Sequence, residues 1–300
     1  MTADLHPRDF VGYGATPPDP RWPGGARLAL NLVVNVEEGS EPSVPDGDGA
    51  SETGLTEGGG GLEGRDLAAE SMFEYGARAG VWRLLRTFAG RGLPATMFAC
   101  ALALERNPEL AAAIRAGGYD VCCHGYRWER VQPLGEARER ELVAMAVDSL
   151  ARTTGTAPVG WYCRYAPSLF TRRILAEHGG FLYDSDSYAD DLPYYVAAAG
   201  KPHLVVPYSL TNNDVKFARG GMSTGRQFAE FLIDAFDVLY REGAHQPKMM
   251  SVGLHARIVG HPARVAGLER FLDHVEGYKD VWVTRRVDIA RHWLATHPAG

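Results

Sequence analysis

Short apolar runs alternating with helix-period stretches along almost the whole chain restrict its fold more than any other feature. Residues 27–36 (RLALNLVVNV) are rich in Val and Leu with little polar alternation, the pattern of a strand covered on both faces. Residues 94–101, 120–123, 159–163, 181–183, 204–206, 249–254 and 281–284 repeat that character. Between them lie stretches of helical period. Residues 71–88 place Met72, Tyr75, Ala79, Trp82 and Leu85 near one face, and residues 227–240 align Phe228, Phe231, Leu232, Ala235, Phe236 and Leu239. Residues 107–116 open with Asn107-Pro108 and close at Gly117-Gly118, and residues 168–178 end at Gly179-Gly180. Residues 136–154, 262–276 and 288–295 complete the helices. No repeat or linker interrupts the series. It predicts a single α/β domain over residues 1–300, built as a (β/α) barrel or an open parallel sheet.

Composition narrows the partners. With 45% hydrophobic and 23% charged residues the chain is an ordinary globular protein. A net charge of −6 and no Lys/Arg cluster argue against a nucleic-acid or membrane surface and favour a small molecule. The first residues carry no apolar segment of the signal-peptide kind, and no window reaches membrane-spanning length, so the expected location is cytoplasmic. Cys100, Cys122, Cys123 and Cys163 lack metal or redox spacing and read as buried thiols. Cys122 and Cys123 would point to opposite faces of one strand. Residues 40–65, with the Gly58-Gly59-Gly60-Gly61 run and many acidic groups, read as a long loop and a candidate lid.

In either architecture chemistry gathers at the C-terminal ends of the strands. There the sequence places Glu37 and Glu38, His124, Arg164, Asp184 and Asp186, and His255. Any one alone reads equally well as a solvated or ion-paired group; their coincidence at equivalent positions points to a site.

The order Glu37-Glu38-Gly39, His124-Gly125-Tyr126-Arg127-Trp128, Arg164-x-x-Pro167, Asp184-Ser185-Asp186 and Gly253-Leu254-His255 resembles the polysaccharide deacetylase family. It looks most like the branch of metal-independent allantoinases and cyclic imide hydrolases. The most specific runs are Tyr75-Gly76-Ala77-Arg78-Ala79-Gly80, Gly179-Gly180-Phe181-Leu182-Tyr183-Asp184-Ser185-Asp186 and Gly253-Leu254-His255-Ala256-Arg257-Ile258-Val259-Gly260. The resemblance implies a distorted (β/α) barrel of the polysaccharide deacetylase type with about seven parallel strands, and a homo-oligomer.

Sugar deacetylases of this family usually carry Asp-Asp after the first strand and a His-x-x-x-His pair that binds a divalent metal. Here Glu37 and Glu38 replace the two Asp, and Trp128 stands where the second His would be. An indole only donates through its N–H, so one ligand is lost and no metal or other cofactor is expected. The alternative is zinc held by Glu38 and His124 with a third ligand such as Asp186. By resemblance Glu37 is the general base, its pKa expected to be raised by Glu38 beside it, and His255 the general acid. Arg164 would orient Glu37, and Asp184 or Asp186 would hold the His255 imidazole. Adjacent strand positions point oppositely, so both glutamates face the site only if the chain turns near Gly39. Trp128 and His124 are candidate donors to an oxyanion, although Trp128 reads equally as core. Asn213, within Asn212-Asn213-Asp214, reads as an exposed turn or as a reader of substrate amides. The spacing around Arg164 departs from the allantoinase pattern. The function implied is a hydrolase opening a small cyclic amide or ureide such as allantoin. A cyclic imide hydrolase and a metal-dependent N-acetyl sugar deacetylase are the alternatives.

Overall fold

The computed structural model describes residues 8–58 and 62–299. Residues 1–7 of the leader, Gly59 to Gly61 of the glycine run, and Gly300 lie outside the described residues. Among the described residues nine strands form one sheet: β1 (Leu28–Val36), β2 (Thr96–Ala99), β3 (Asp120–Cys123), β4 (Gly160–Trp161), β5 (Tyr183–Asp184), β6 (Tyr194–Ala198), β7 (Lys201–Val205), β8 (Lys248–His255) and β9 (Val281–Val283). The helices are α1 (Leu67–Tyr75), α2 (Val81–Arg91), α3 (Ala101–Arg106), α4 (Pro108–Ala116), α5 (Glu136–Thr154), α6 (Thr171–His178), α7 (Val215–Ala218), α8 (Gly225–Glu242), α9 (Pro262–Glu276) and α10 (Arg286–Thr296).

The strand order is β6-β7-β5-β4-β3-β2-β1-β8, and β9 pairs with the first half of β1. Every pairing is parallel except β6 with β7. The sequence therefore anticipates the parallel sheet and misses β6. That strand is only half-buried, and its hairpin turns at Ala199-Gly200, where φ is +49° and +72°. Paired left-handed residues suit a two-residue hairpin, but Ala carries no sequence signal for one. The single long helix expected over residues 71–88 is instead α1 and α2 joined by a π-helical segment, Gly76–Gly80.

Strand parity sorts the core. Leu28, Leu30, Leu32, Val34 and Val36 of β1 pack outward against the helices, while Ala29 and Val33 join a second cluster inside the curled sheet with Phe98, Cys122, Tyr162 and Tyr183. Cys123 belongs to the outer cluster, so the adjacent cysteines do point apart, and all four cysteines are free and buried. The sheet curls without closing by a ladder. The gap beside β8 is crossed by one bridge, Asn213 to Gly253, and by the buried Arg286 side chain. Arg286 donates to Asn31 Oδ1 (3.2 Å), Ser251 Oγ (2.8 Å), Ser185 Oγ (3.1 Å) and Pro207 O (2.8 Å), so one guanidinium joins the paired β1 and β8 to the ends of the paired β5 and β7.

Candidate active site

The odd-numbered face of β1, the inside of the curl, carries Asn31, Asn35 and then Glu37 just past the strand's end; the next residue, Glu38, falls on the outer face. Glu37 Oε1 lies 3.3 Å from His124 Nε2 and 3.5 Å from His255 Nε2. His255 ends β8 in register with Asn35, so two long neighbouring strands deliver the carboxylate and the imidazole to one place. These groups line a tight pocket with Asn35, Leu55, Trp128, Tyr162, Arg164, Tyr165, Asn213 and Arg219.

Arg257, two residues beyond His255, sits between the two glutamates. Its Nη2 is 2.7 Å from Glu37 Oε2 and its Nη1 is 3.2 Å from Glu38 Oε1. Burial alone would raise the Glu37 pKa, but Arg257, His255 and the His124 contact together hold it well below the usual carboxylate range. The expected upward push from Glu38 does not occur, because Glu38 faces away and shares the same guanidinium. Glu38 also accepts from Arg257 N and is absent from the pocket wall, so it is not placed to touch substrate. A Cβ on Gly76 would come within 2.6 Å of Glu38 Oε1, and one on Gly80 within 2.1 Å of Ala256 O. The glycines of the Tyr75 to Gly80 motif thus let the π-helical segment press onto the base of the site.

The carboxylate holding His255 is Asp214, not Asp184 or Asp186. Asp214 Oδ1 is 2.6 Å from His255 Nδ1, while its Oδ2 accepts from His255 N (2.7 Å) and Val259 N (3.1 Å). Burial disfavours a charged His255, but Asp214 and Glu37 outweigh it and push its pKa up to about 9. Gly253 makes this contact possible: a Cβ there would sit 2.1 Å from Asn213 Nδ2, and its backbone pairs with Asn212 and Asp214. The Asn212-Asn213-Asp214 segment is therefore clipped to the edge of β8 rather than being an exposed turn. The Asn213 amide donates to Tyr208 Oη and Ser209 O, and its oxygen accepts from Val215 N, so this residue lines the pocket with its polar groups already engaged.

Asp184 belongs to a separate ion pair with Arg172 (2.8 Å) and His203 (3.0 Å). Asp186 accepts from Cys163 N (2.7 Å); burial first, and then Asp184 beside it, raise its pKa. Neither lines the pocket. Arg164 lines the wall but pairs with Glu52 and donates to Trp128 O (2.8 Å), so it does not orient Glu37. The guanidinium of Arg164 lies 3.7 Å from the Trp128 ring centre and that of Arg257 lies 4.9 Å from it. His124 Nδ1 is 2.8 Å from Tyr162 O, a pure acceptor, so this nitrogen carries a proton and Nε2 faces Glu37.

Residues 40–58 contribute Leu55 to the pocket and are pinned by charge rather than by a core of their own: Asp46 pairs with Arg106, Asp48 with Arg127 and Glu52 with Arg164. Leu55 and Tyr165 both line the pocket with φ near +60° (61° and 64°), a costly conformation for side-chain-bearing residues and one that accumulates at functional sites.

Among the described residues no group of three or more His, Cys, Asp and Glu side chains is placed to hold a metal ion. Where a second imidazole would be needed there is an indole flanked by two guanidinium groups, whose charge opposes a cation. The donor set does not fit a divalent metal. It fits a proton-transfer pair: a carboxylate held ionised and an imidazole held protonated, 3.5 Å apart. The sequence placed both members and missed their supports. Arg257 lay within a quoted motif but not at a strand end, and Asp214 followed no apolar run.

Comparison with known proteins gives a consistent picture. Residues 64–179 match the family described as "Polysaccharide deacetylase". The chain is 38% identical to a Schizosaccharomyces pombe protein named "Putative polysaccharide deacetylase", over 97% of this chain and 98% of that one. The crystal structure of PuuE allantoinase superposes with a TM-score of 0.94 at 50% identity, covering 98% of this chain and 99% of that chain. That of a "probable Polysaccharide deacetylase" from Pseudomonas aeruginosa PAO1 also gives 0.94, at 52% identity, covering 98% and 100%. With its parallel half-barrel, its strand-end site and a relative this similar over its whole length, the chain belongs to the polysaccharide deacetylase family of hydrolases.

Proposed function

We propose that this hydrolase opens a small cyclic amide or ureide, allantoin-like, without a metal. The observation carrying this reading is the Glu37–His255 pair 3.5 Å apart, with Arg257 against the carboxylate on one side and Asp214 against the imidazole on the other. Glu37 takes a proton from water as the oxygen attacks the ring carbonyl. His255 gives its proton to the ring nitrogen as the C–N bond breaks, leaving a carboxylate and a freed nitrogen on one open chain. The Trp128 indole lines the pocket as the candidate donor to the oxyanion, because the His124 Nδ1 proton is engaged by Tyr162 O and its Nε2 faces Glu37. The likeness to PuuE allantoinase supports this substrate class over an acetylated sugar.

The test is allantoin ring opening by purified protein before and after EDTA, together with Glu37→Gln. Turnover unaffected by EDTA and reduced at least about 100-fold by Glu37→Gln is expected for a general base. Undiminished Glu37→Gln activity overturns the assignment of the base. Activity that is lost on EDTA treatment and restored by zinc, with N-acetyl sugars as the preferred substrate, overturns the metal-free reading.

A further inference from the structure

Arg219 is the one guanidinium lining the pocket for which no carboxylate partner is seen among the described residues; the other, Arg164, has Glu52. Arg106, Arg127 and Arg257, at the same end of the sheet, each pair with carboxylates. Arg219 is exposed and directly follows α7, the short helix that begins after Asp214. Its backbone N–H donates to Val215 O, closing the helix. Asp214 and Arg219 therefore stand at opposite ends of one short helix, about 7.5 Å apart along its axis at 1.5 Å per residue. Lys216 on the same turn is committed elsewhere, its ammonium 4.8 Å from the Phe231 ring centre.

The charges of the pocket are consequently unequal along its length. At the inner end Glu37 and Glu38 share a single guanidinium, Arg257, while His255 is matched by Asp214, leaving excess negative charge where water is activated. Arg164, buried in the pocket wall, is neutralised by Glu52, whereas the exposed Arg219 has no carboxylate partner among the described residues. A ligand that is neutral at its reacting carbonyl and anionic at its far end fits this gradient, because a carboxylate at the inner end would meet Glu37 whereas one at the mouth would meet a free guanidinium fork.

We propose that Arg219 is a specificity-determining residue that selects cyclic amides bearing a carboxylate on a ring substituent. This inference rests on the cyclic-amide reading of the same pocket. Arg219 reads the substituent and takes no part in proton transfer.

Binding is measured separately from turnover, by calorimetry on the Glu37→Gln protein with hydantoin-5-acetate and hydantoin-5-acetamide, ligands of the same shape that differ in charge. The acetate is expected to bind about tenfold more tightly, as a hydrogen bond to a charged group allows. Adding Arg219→Gln is expected to abolish the difference, Arg219→Lys to restore part of it, and added salt to shrink it. Equal affinity for the two ligands, no binding of the acetate, or a preference that persists in Arg219→Gln overturns the proposal. Failure of the cyclic-amide reading shows up elsewhere, as an intact enzyme that turns over no cyclic amide.

Discussion

The two flanks of the half-barrel treat their acidic residues differently. On one flank, β1 and β8 are nine and eight residues long and almost wholly buried, and their ends bring Glu37 and His255 together inside the curl. On the other, β4 and β5 are two residues each, and the acids at the end of β5 turn away from the pocket. Asp184 binds Arg172 and His203, and Asp186 caps Cys163 N. A long paired strand fixes which face each following side chain occupies; a two-residue strand does so only locally, and its polar neighbours settle into whatever ion pairs the adjoining helix and loop supply.

Breaking the same kind of group on each flank sharpens this contrast. Asp214→Asn is expected to lower kcat by about 100-fold or more, because the imidazole loses the carboxylate that orients it and favours its charge. It is also expected to move the alkaline limb of kcat/KM downward. In the native protein that limb is expected near 9, because the proposed reaction uses a protonated His255 and an ionised Glu37. The raised His255 pKa gives stability that is complete below 6.5 and is lost as pH rises through about 9, and a denaturant series across that window should show the loss in the native protein and less of it in Asp214→Asn.

Asp184→Asn on the other flank leaves Arg172 and His203 without their shared carboxylate. It is expected to cost about 3–5 kcal/mol in chemical denaturation, as for a broken buried pair, with the pH profile of the remaining folded enzyme unmoved. A shifted alkaline limb in Asp184→Asn would place that flank in the catalytic machinery after all. The smallest change is Gly76→Ala, whose new Cβ meets Glu38 at 2.6 Å. Its expected cost is about 1–3 kcal/mol of stability from overpacking, with a rise in KM smaller than the effect of Asp214→Asn. Unchanged stability would mean that the π-helical segment can move off Glu38.

The apolar alternation determined by itself that strands and helices succeed one another and that chemistry lies at strand ends. The boundaries of α5 and α9 follow from periodicity and capping signals. Their positions at strand ends and the motif order are why Glu37, His255 and His124 were found, while parity along β1 allowed Glu37 and Glu38 to face the site together only if the chain turned near Gly39. Three things were decided only by tertiary structure. Arg257 rather than Arg164 reaches Glu37, Asp214 rather than Asp184 or Asp186 reaches His255, and the Glu37 pKa goes down rather than up. Each depends on segments remote in sequence: Arg257 reaches Glu37 across the β1–β8 pairing, while Asp214, 41 residues from His255, meets it at the open edge through one bridge to Gly253. Periodicity reports which face a side chain occupies, but an ion pair depends on distance in space, and that distance is set only when the half-barrel curls and brings its unpaired edge against the Asn212 to Asp214 segment.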